Sequence, residues 1–534
     1  MRGNNVIISH MKKLVLDLLS QSYLNAKILA SFKRKFAKKT GLFPKNSLLL
    51  AQYWQMVKMG EIKPKASFEK ALRLKKVRSL SGIIPVAVLT KPYPCPGRCV
   101  YCPTQVNMPK SYLDDEPAVM RAKQASFNPS LQMKRRLRQL KETGHSLEKI
   151  ELIVMGGTFT ALPHSYQKSF IKKCFEAANG EKSKTLAEAQ KTNQTAKNRI
   201  IGLTLETRPD EINISEIKRM RILGCTRVEI GVQTIYDSIL KKVNRGHLTK
   251  ATIKATKLLK DAGIKVCYHL MPNLPGSRLS LDFKMFKEIF SNEKYMPDMI
   301  KIYPCVVCYQ AKLYQWFKKG KYKPYKDEEL IKLLLKIKKI VPAWVRINRL
   351  GRDIPVNNIA AGNKLSNIRQ VLEKRKDFQC QCIRCREIKE KGSLNSKRVK
   401  FNQIKYSSSG GEEYFLEYTD KENHLFALLR LRIPSQIFSK KNHFIPELEN
   451  SSIIRELHTY GESLPLGKKG QASQHLGLGK KLLKKAEEIT KNLGIKKIAV
   501  ISGIGVREYY QKMWYKLQNT YMIKNLNLKN LTKK

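Results

Sequence analysis

The stretch CPGRCVYC (Cys95–Cys102) decides the fold, because it directly follows the apolar run IIPVAVL (Ile83–Leu89) and carries a C-x3-C-x2-C spacing. Its three thiols belong to Cys95, Cys99 and Cys102. Three thiolates at this spacing can hold three irons of a [4Fe–4S] cluster and leave the fourth iron open. The amino and carboxylate groups of S-adenosylmethionine would suit that iron. A zinc knuckle is the alternative reading, but it needs a fourth ligand nearby, and Cys174 is far along the chain.

Apolar runs of strand length recur after this loop and alternate with Lys-rich amphipathic stretches. They are IELIVMGG (Ile150–Gly157), IIGLTLET (Ile200–Thr207), RVEIGVQT (Arg227–Thr234) and IKVCYHLMPNLPG (Ile264–Gly276). This alternation predicts repeated β/α units around a parallel sheet or barrel. Residues 181–198 are polar and lack apolar periodicity, so we expect an exposed insertion there.

Glycines and charged groups stand where these strands are expected to end. The C-terminal ends of parallel strands meet on one face, where such motifs would share a site. Two glycines in MGGTF (Met155–Phe159) let the backbone approach a ligand closely. A single glutamate at a strand end is often only a salt-bridge partner, but several in succession favour a binding site. The residues predicted to bind S-adenosylmethionine are Gly156, Gly157, Thr158, Glu206, Arg208, Glu229 and Gln233.

A second α/β domain is predicted beyond a basic linker at residues 346–400. The runs at Tyr414–Asp420, His424–Pro434 and Ser452–Gly461 read as antiparallel strands, and Lys496–Ser502 reads as the last strand. A helix is expected after the loop QHLGLG (Gln474–Gly479), whose outward-facing amides and helix dipole suit a pyrophosphate. Glycine-rich loops of this kind are frequent, so the signal is weak alone. It is strengthened by ELHT (Glu456–Thr459), a candidate splayed strand with free amides for a pantetheine arm.

Two further groups of residues carry possible chemistry. A phenol with a pKa near 10 can donate a proton to a departing thiolate, so Tyr509 and especially Tyr510 are candidate catalytic residues. Packing of both rings against a helix is the alternative. The motif CQCIRC supplies three thiols that suit a structural zinc, unless they are unmetallated; they are Cys380, Cys382 and Cys385. The fourth ligand is not identifiable, although His269, Cys305 or Cys308 could fold in.

The charge of the chain points to a polyanionic partner. Its 534 residues include 103 Lys and Arg against 43 Asp and Glu, a net charge of +60. Nucleic acid is the first interpretation, an anionic membrane surface the second, and a solvated Lys-rich surface the alternative. No apolar run reaches the roughly 18 residues of a membrane span, and no signal peptide is evident, so we expect a cytoplasmic location without membrane association.

Residues 1–80 are helical in pattern and strongly basic. The stretch SFKRKFAKKTGLFPK (Ser31–Lys45) interleaves aromatic with basic side chains, which can meet phosphates while the rings pack or stack. The alternative is a helical cap with solvated lysines. The residues predicted to contact nucleic-acid phosphates are Lys33, Arg34, Lys35, Lys38 and Lys39.

In chain order, the motifs CPGRCVYCPT, MGGTF, GLTLETRPD, RVEIGVQT, NRGH and MPNLPG resemble the radical-SAM domain of the Elongator catalytic subunit family. The likeness continues through RDIP, CQCIRCREI, RELHTYG, QHLGLGKKLL and ISGIGVREYY. Two features depart from the family pattern. The chain reads EYTD at Glu417–Asp420 instead of Ser-Phe/Tyr-Glu-Asp, and it carries Cys305 and Cys308 at a strand end that is usually free of cysteine.

The resemblance implies an α/β protein in which a radical-SAM partial (β/α) barrel (81–345) is fused to a GNAT-fold acetyltransferase domain (401–534). A basic helical region (1–80) would precede the barrel, and a zinc-binding linker (346–400) would join the domains. The implied enzyme is a tRNA uridine(34) acetyltransferase. It would use a 5′-deoxyadenosyl radical to activate acetyl-CoA and attach a carboxymethyl group to carbon 5 of the wobble uridine. Its cofactors would be a [4Fe–4S] cluster, S-adenosylmethionine and Zn²⁺.

The same resemblance implies an acetyl-CoA site and a set of partners. The site would be lined by Glu456, Leu457, His458, Thr459, Gln474, Gly477, Leu478, Gly479, Lys480 and Tyr510, with Lys149 reaching in from the barrel. The partners would be the tRNA anticodon loop and an electron donor, with accessory subunits or a second copy as further candidates. One rival function is acetylation of protein lysines, which would leave the cysteine loop unused. Another is an inert tRNA-binding scaffold, which the intact cysteines and glycine loop argue against.

Overall fold

The computed structural model describes residues 2–73, 82–365, 367–375, 379–388, 399–461 and 477–526. Four helices come first: α1 (Arg2–Leu19), α2 (Ala26–Thr40), α3 (Asn46–Lys58) and α4 (Ala66–Leu72). Helix α2 begins where the Asn25 side chain accepts a hydrogen bond from the Ile28 amide, and it ends at Gly41. The four helices enclose a small core of their own around Leu49, Tyr53 and Phe68. No described helix combines the length and apolar character that crossing a membrane requires.

Seven parallel strands form the first sheet, in the order β1-β2-β3-β4-β5-β6-β8. They are β1 (Ile83–Leu89), β2 (Lys149–Met155), β3 (Arg199–Thr207), β4 (Arg227–Gln233), β5 (Lys265–Leu270), β6 (Met299–Ile302) and β8 (Arg346–Leu350). Each strand lies beside its predecessor, so the sheet curls in one direction into a half-barrel with a concave inner face. The predicted β/α units are therefore confirmed. A short antiparallel ladder joins β7 (Val307–Cys308) to β9 (Ile359–Ala361).

Helices cover the outer face of this half-barrel and connect its strands. They are α5 (Pro117–Gln124), α6 (Pro129–Glu142), α7 (His164–Asn179), α8 (Leu186–Asn193), α9 (Ile214–Leu223), α10 (Asp237–Lys242), α11 (Thr249–Asp261), α12 (Leu279–Ser291), α13 (Leu313–Lys318) and α14 (Asp327–Ile340). Two short helices follow β8 and β9: α15 (Ile368–Glu373) and α16 (Ile383–Arg386).

The expectation of an exposed insertion at residues 181–198 is wrong. Helix α8 lies within it, starts at a capping box formed by Thr185 and Glu188, and buries Leu186 in the barrel core. The buried Asn193 side chain donates to the carbonyl of Asn198 and accepts from the amide of Ile200 at the start of β3. These are polar contacts, which a search for apolar periodicity does not detect.

A second, mixed sheet of seven strands has the order β10-β11-β12-β13-β14-β16-β15. Its elements are β10 (Lys400–Ser408), β11 (Gly411–Thr419), β12 (Leu425–Ile433), α17 (Ser435–Ser439), β13 (Ser451–Thr459), α18 (Leu478–Asn492), β14 (Lys497–Val500), α19 (Arg507–Gln511), β15 (Lys516–Gln518) and β16 (Tyr521–Asn525). The predicted antiparallel pairing of β11, β12 and β13 is confirmed. The prediction that β14 is the last strand is wrong, because the β15–β16 hairpin follows it.

The two sheets are joined by a continuous interface. Side chains of the second sheet, such as Ile453 and Ile501, belong to the same apolar core as the barrel. Gly503 lies against β3 so closely that a Cβ there would stand 1.9 Å from the Ile201 carbonyl oxygen, which only glycine permits. A fully buried ionic cluster also crosses the interface; its members are Lys260, Asp261, Asp298, Glu413, Arg430, Arg432 and Arg455.

Candidate functional site

One cavity of about 1630 Å³ fills the concave side of the half-barrel and is closed on one side by the second sheet. Alternate residues of each barrel strand point into it, as the two-residue repeat of a strand requires. The cysteine loop lies at the end where the strands finish. Residues of β13, the start of α18 and α19 lie at the end where they begin. A strand such as β2, with seven residues, separates these ends by about 20 Å.

The cysteine loop follows the end of β1, where the sequence predicts it. Its sulfurs are held by the Gly97 amide, which donates to Cys95 Sγ (3.4 Å), and by Arg245, whose Nη1 donates to Cys99 Sγ (3.5 Å). Thr158 Oγ1 lies 3.5 Å from Cys95 Sγ. All three thiols, including that of Cys102, line the cavity.

The distances between these sulfurs distinguish a zinc site from an iron–sulfur cluster site. A single tetrahedral zinc with Zn–S bonds near 2.3 Å brings its sulfurs to about 3.8 Å from one another. Within the described residues, three groups of ligand atoms lie within 4.8 Å of one another, and Cys95, Cys99 and Cys102 are not among them. A larger multi-iron cluster fits this wider arrangement better than one zinc ion does.

The glycine motif predicted to face S-adenosylmethionine lies beside the cysteine loop. Gly157 and Thr158 line the cavity where β2 ends, and Gly156 has a φ of +136°, which the turn requires. Arg208 is held by Asp210 (2.8 Å) and by the carbonyl of Arg245 (2.9 Å). Its Nη1 is buried, has no hydrogen-bond partner in the part of the chain that the structure describes, and faces the loop, since it would lie 2.2 Å from a Cβ on Gly97. A buried guanidinium nitrogen left open beside the cavity fits an anionic ligand such as a carboxylate.

The remaining predicted S-adenosylmethionine ligands fall at different depths. Glu206 and Gln233 lie at strand ends and line the cavity, as predicted. Glu229, however, lies in the middle of β4 and not at its end. Its carboxylate binds His269 Nε2 (2.9 Å) and Lys301. Burial alone would raise the pKa of Glu229, but these two partners hold the pKa well below its usual range.

Several polar residues of the cavity were not predicted as part of this site. His269, considered only as a zinc ligand, lies between two carboxylates, with Nδ1 3.6 Å from Glu206 and Nε2 bonded to Glu229. Tyr112 donates to Glu206 (2.7 Å). Lys265 and His269, four residues apart on β5, and Lys301, two residues after Met299 on β6, occupy inward positions that follow the two-residue repeat of a strand. That spacing was readable in the sequence once the inner face of each strand was known.

The strand predicted to be splayed separates from its neighbour. β13 pairs with β14 only as far as Ile454, while Glu456–Thr459 pair with β12. Among the described residues, no strand lies on the β14 side of Glu456, Leu457 and His458, and this stretch is the free edge of β13. Burial alone would raise the pKa of Glu456, but Lys265 and Arg430 hold it well below its usual range. Burial lowers the pKa of His458 to about 4, so this imidazole is neutral.

Helix α18 begins beside this free edge. Gly477 precedes it with a φ of 68°, Leu478 is buried, and Lys480 is exposed at the cavity. A Cβ on Gly479 would lie 3.3 Å from the Tyr509 hydroxyl and 3.7 Å from Thr459. Gln474 lies outside the described residues. Lys149 begins β2 at this same end of the barrel, where burial lowers its pKa.

Tyr509 and Tyr510 both line the cavity on α19, with their rings edge to face at 5.2 Å. Tyr510 is also part of the core of the second sheet, and burial raises the pKa of both phenols. Neither hydroxyl has a hydrogen-bond partner among the described residues. Tyr510 therefore packs in the core and also presents its hydroxyl to the cavity. The structure is compatible with both interpretations of this residue, proton donation and packing.

The linker cysteines form a compact group. The sulfurs of Cys380, Cys382 and Cys385 all lie within 4.8 Å of one another, which fits one zinc ion, and Lys338 donates to Cys385 (3.4 Å). In the described part of the chain, no fourth ligand belongs to this group. The three suggested ligands lie elsewhere: His269 in the cavity, and Cys305 and Cys308 in an apolar cluster beside the cysteine loop.

The basic residues of α2 divide into two kinds. Arg34, Lys35, Lys38 and Lys39 are exposed. Lys33 is partly buried, donates to Asn46 Oδ1 (2.9 Å) and lies over the Phe43 ring at 4.9 Å. Phe36 packs in the helical core. Four of the five predicted tRNA-binding side chains are thus accessible to a phosphate backbone.

Comparison with known proteins agrees with this architecture. The model of the radical SAM superfamily matches residues 69–279, and that of the radical SAM C-terminal domain matches residues 297–377. The tRNA uridine(34) acetyltransferase of Methanocaldococcus infernus is 48% identical over 473 residues, covering 85% of this chain and 88% of that protein. That of Dehalococcoides mccartyi is 44% identical, with coverages of 84% and 99%. Human Elongator complex protein 3 is 40% identical, with coverages of 85% and 86%.

A solved structure is similar as well. The archaeal Methanocaldococcus infernus Elp3 with an N-terminal deletion (1–46) superimposes with a TM-score of 0.73 at 44% identity. The match covers 84% of this chain and 100% of that one.

Proposed function

The chain belongs to the family of the tRNA uridine(34) acetyltransferases and Elongator complex protein 3, and from that premise we propose that it is an enzyme that modifies the wobble uridine of tRNA. We propose further that the product carries a carboxymethyl group on carbon 5, with acetyl-CoA as the carbon source. The observation that carries this proposal is the single cavity that joins the cysteine loop to the free edge of β13.

The barrel end of the cavity would hold the radical-generating cofactors. Cys95, Cys99 and Cys102 would bind a [4Fe–4S] cluster, as membership of the radical SAM superfamily implies. When bound together with S-adenosylmethionine, such a cluster would supply a 5′-deoxyadenosyl radical for activating the acetyl methyl group. The Gly97 amide and the Arg245 guanidinium donate to the thiolates and so stabilise their negative charge.

The protein side of the S-adenosylmethionine site is built for a zwitterionic ligand. Gly156 and Gly157 allow close backbone approach, and the open Nη1 of Arg208 suits a carboxylate. Glu206 accepts from Tyr112 and has a second oxygen directed at His269. Glu229 contributes indirectly, because its bond to His269 orients that imidazole.

The second sheet would act as a GNAT-fold acetyltransferase domain at residues 401–534. The strand edge at Glu456, Leu457 and His458 would bind the pantetheine arm, with Thr459 beside it, and the start of α18 would bind the pyrophosphate. Lys149 would approach the same molecule from the barrel. Tyr510 would donate a proton to the departing thiolate, because its raised pKa keeps the phenol protonated at neutral pH.

The outer parts of the chain would hold the RNA and brace the domains. We propose that residues 1–80 bind tRNA phosphates through the exposed basic side chains of α2, and that Cys380, Cys382 and Cys385 bind a structural zinc in the linker at residues 346–400. An unpaired anticodon base can enter a closed cavity without melting a duplex.

Nucleoside mass spectrometry tests this proposal. Holoenzyme reconstituted with iron and sulfide under anaerobic conditions is incubated with S-adenosylmethionine, acetyl-CoA, a reductant and tRNA transcripts carrying U34 or C34. We expect carboxymethyluridine in the U34 transcript alone. Cys99→Ala should abolish the product and the iron content, whereas Cys174→Ala, at a buried core cysteine, should keep both.

Two results would contradict the proposal. Unchanged U34 in a sample with full iron content would remove the main function. Acetylation of histone lysines that is as strong in Cys99→Ala as in wild type, without any tRNA product, would favour the protein acetyltransferase instead.

A further inference from the structure

Asn348 occupies an irregular position on the edge strand of the barrel. In the pairing of β6 with β8, Ile300 faces Ile347 and Lys301 faces Arg349, so Asn348 is an extra, unpaired residue. Such bulges redirect side chains and are common beside functional sites. Here the bulge places Asn348 and Arg349 together on the cavity wall, while Ile347 remains in the apolar core.

The amide of Asn348 lacks strong partners. Its Nδ2 group donates only to sulfurs, those of Met299 (3.4 Å) and Cys267 (3.8 Å), which are weak acceptors. Its Oδ1 accepts no hydrogen bond from any described residue. The buried amide of Asn193, by contrast, has oxygen and nitrogen partners on both sides. Asn348 is half-buried on the cavity wall, and its amide has no oxygen or nitrogen partner among the described residues, so it is open to a ligand that enters the cavity.

The position of Asn348 matches where a substrate base would have to lie. It stands in the middle of β8, between the cysteine loop at one end of the cavity and the free edge of β13 at the other. In the proposed function the radical forms at the cysteine-loop end of the cavity, and acetyl-CoA lies at the β13 end. The base that accepts the carbon group must therefore lie in the region between them.

The chemistry around Asn348 favours uracil. A carboxamide offers one donor and one acceptor in a plane, which pair with the O4 and N3–H of uracil. It could also pair with cytosine if rotated, but its neighbours oppose that. Arg346, Arg349 and Lys301 are paired with Glu387, Asp353 and Glu229 respectively. Each of these cations has further N–H groups beyond its ion pair, and such donors suit the carbonyl oxygens of uracil better than the amino group of cytosine.

We infer that Asn348 is a specificity-determining residue, whose amide pairs with the Watson–Crick edge of a uracil base inserted into the barrel. This inference rests on the proposed function for its substrate class. It assigns the base-binding subsite to the bulge of β8.

Equilibrium binding tests the inference without requiring turnover. Anticodon stem-loop RNAs with uridine, 3-methyluridine or cytidine at position 34 are titrated into the anaerobic holoenzyme, and the Kd of each is measured by fluorescence anisotropy. For the wild type we expect 3-methyluridine to weaken binding by about tenfold or more, because methylation removes the N3–H donor. Asn348→Ala should bind the uridine RNA more weakly by a similar factor and should no longer distinguish it from the 3-methyluridine RNA.

The control is Asn357→Ala, at an exposed asparagine outside the cavity, which should discriminate as the wild type does. Equal Kd values of the wild type for uridine and 3-methyluridine RNAs would overturn the inference, whether or not Asn348→Ala folds. An unchanged penalty for 3-methyluridine in Asn348→Ala would also overturn it. Discrimination that depends on Asn348 without any modified product in mass spectrometry would support the base subsite while contradicting the proposed function.

Discussion

Gly156 combines a special backbone conformation with a proposed place in the S-adenosylmethionine site. Its φ of +136° is strained for any other residue, and a Cβ there would lie 2.0 Å from Thr90 Oγ1. We expect Gly156→Ala to lower the free energy of unfolding by more than about 2 kcal/mol and to abolish S-adenosylmethionine binding. Gly180→Ala is the matched control, since Gly180 also has a positive φ but nothing within 4 Å of an added Cβ. It should cost only about 1 kcal/mol, the strain alone. Chemical denaturation and calorimetric binding measure the two effects, and equal effects of both substitutions would contradict this account.

Tyr510 offers a test of proton donation separate from packing. Tyr510→Phe keeps the ring in the core and removes only the hydroxyl. If the phenol protonates the departing thiolate, product formation should fall about 100-fold, within the range that general acids provide. Burial raises the pKa of Tyr510 above the ordinary value of 10, so its contribution should not change with pH between about 6 and 9. Tyr509→Phe is the comparison. Wild-type rates in Tyr510→Phe would leave Tyr510 with a packing role only.

The sequence predicts the functional residues that belong to short, contiguous motifs. The cysteine loop and the glycines after β2 lie together, as their spacing indicates. Residues whose role depends on contacts between strands were harder to place. Glu229 stands four positions before the strand end because β4 continues to Gln233. Asn348 faces the cavity because of a bulge, and a bulge depends on the pairing partner and leaves no pattern in one strand.

At the scale of elements, the strands β1 to β5 are predictable because each contains several apolar residues within a run of strand length, even where polar residues that face the cavity alternate with them. Helix α8 shows where that signal ends. Its stability comes from a capping box and from the buried Asn193, so its polar sequence resembles a loop. The hairpin β15–β16 was missed for a related reason, since β15 is short and exposed at the edge of the second sheet.

Helix α8 should therefore contribute measurably to stability. Thr185→Ala removes the hydroxyl that accepts from the Glu188 amide (3.1 Å) and should cost about 1 kcal/mol. Asn193→Ala should cost more, about 2 kcal/mol, because it leaves the Ile200 amide buried without a partner. Lys191→Ala, at an exposed position of the same helix, should change the free energy of unfolding by less than about 0.5 kcal/mol. Urea denaturation distinguishes these values. If all three variants had the free energy of unfolding of the wild type, α8 would be a dispensable insertion.

At the scale of the whole molecule, the buried ionic cluster joins the two sheets in one folding unit. Arg455, on β13, donates to Asp298 before β6 (2.5 and 2.9 Å) and to Glu413 on β11 (2.9 Å), and all three side chains are buried. Arg455→Met leaves both carboxylates without this partner, so we expect a loss of about 3–5 kcal/mol. Lys485→Met, which removes an exposed pair with Glu488, should cost less than about 1 kcal/mol. Calorimetry should show a single unfolding transition in the wild type; separate transitions for the two sheets would contradict the coupling.

The same cluster predicts how stability depends on pH. Arg432 holds the pKa of Asp261 down to about 2, and the pKa values of Asp298 and Glu413 are also lowered by cationic neighbours. A carboxyl group with a lowered pKa stabilises the fold above its unfolded pKa, near 4, and loses that contribution as the pH falls through its folded pKa. The free energy of unfolding should therefore fall steeply between pH 4 and 2 and stay constant in this respect between about pH 5 and 7. Above that range Lys260 of the same cluster, whose pKa burial lowers to about 8, adds a dependence of its own. A stability that instead rose on acidification from pH 4 to 2 would contradict the assigned ion pairs.

The net charge of +60 is the property of the whole molecule that the proposed function must also explain. If the exposed lysines of α2 contact tRNA phosphates, binding releases counterions. The logarithm of the binding constant then falls linearly with the logarithm of the salt concentration, and each phosphate contact contributes about 0.7–0.9 to that slope. The variant Lys35→Ala/Lys38→Ala/Lys39→Ala should reduce the slope by about two to three. The control Lys182→Ala/Lys191→Ala/Lys197→Ala removes three exposed lysines of equal charge from another surface and should leave the slope unchanged if charge acts through position. Filter binding of tRNA between 50 and 300 mM salt measures both. Equal reductions of the slope in the two variants would show that the total charge, and not the α2 face, drives binding. Discrimination between bases at position 34 should persist in both variants, because phosphate contacts carry no base information.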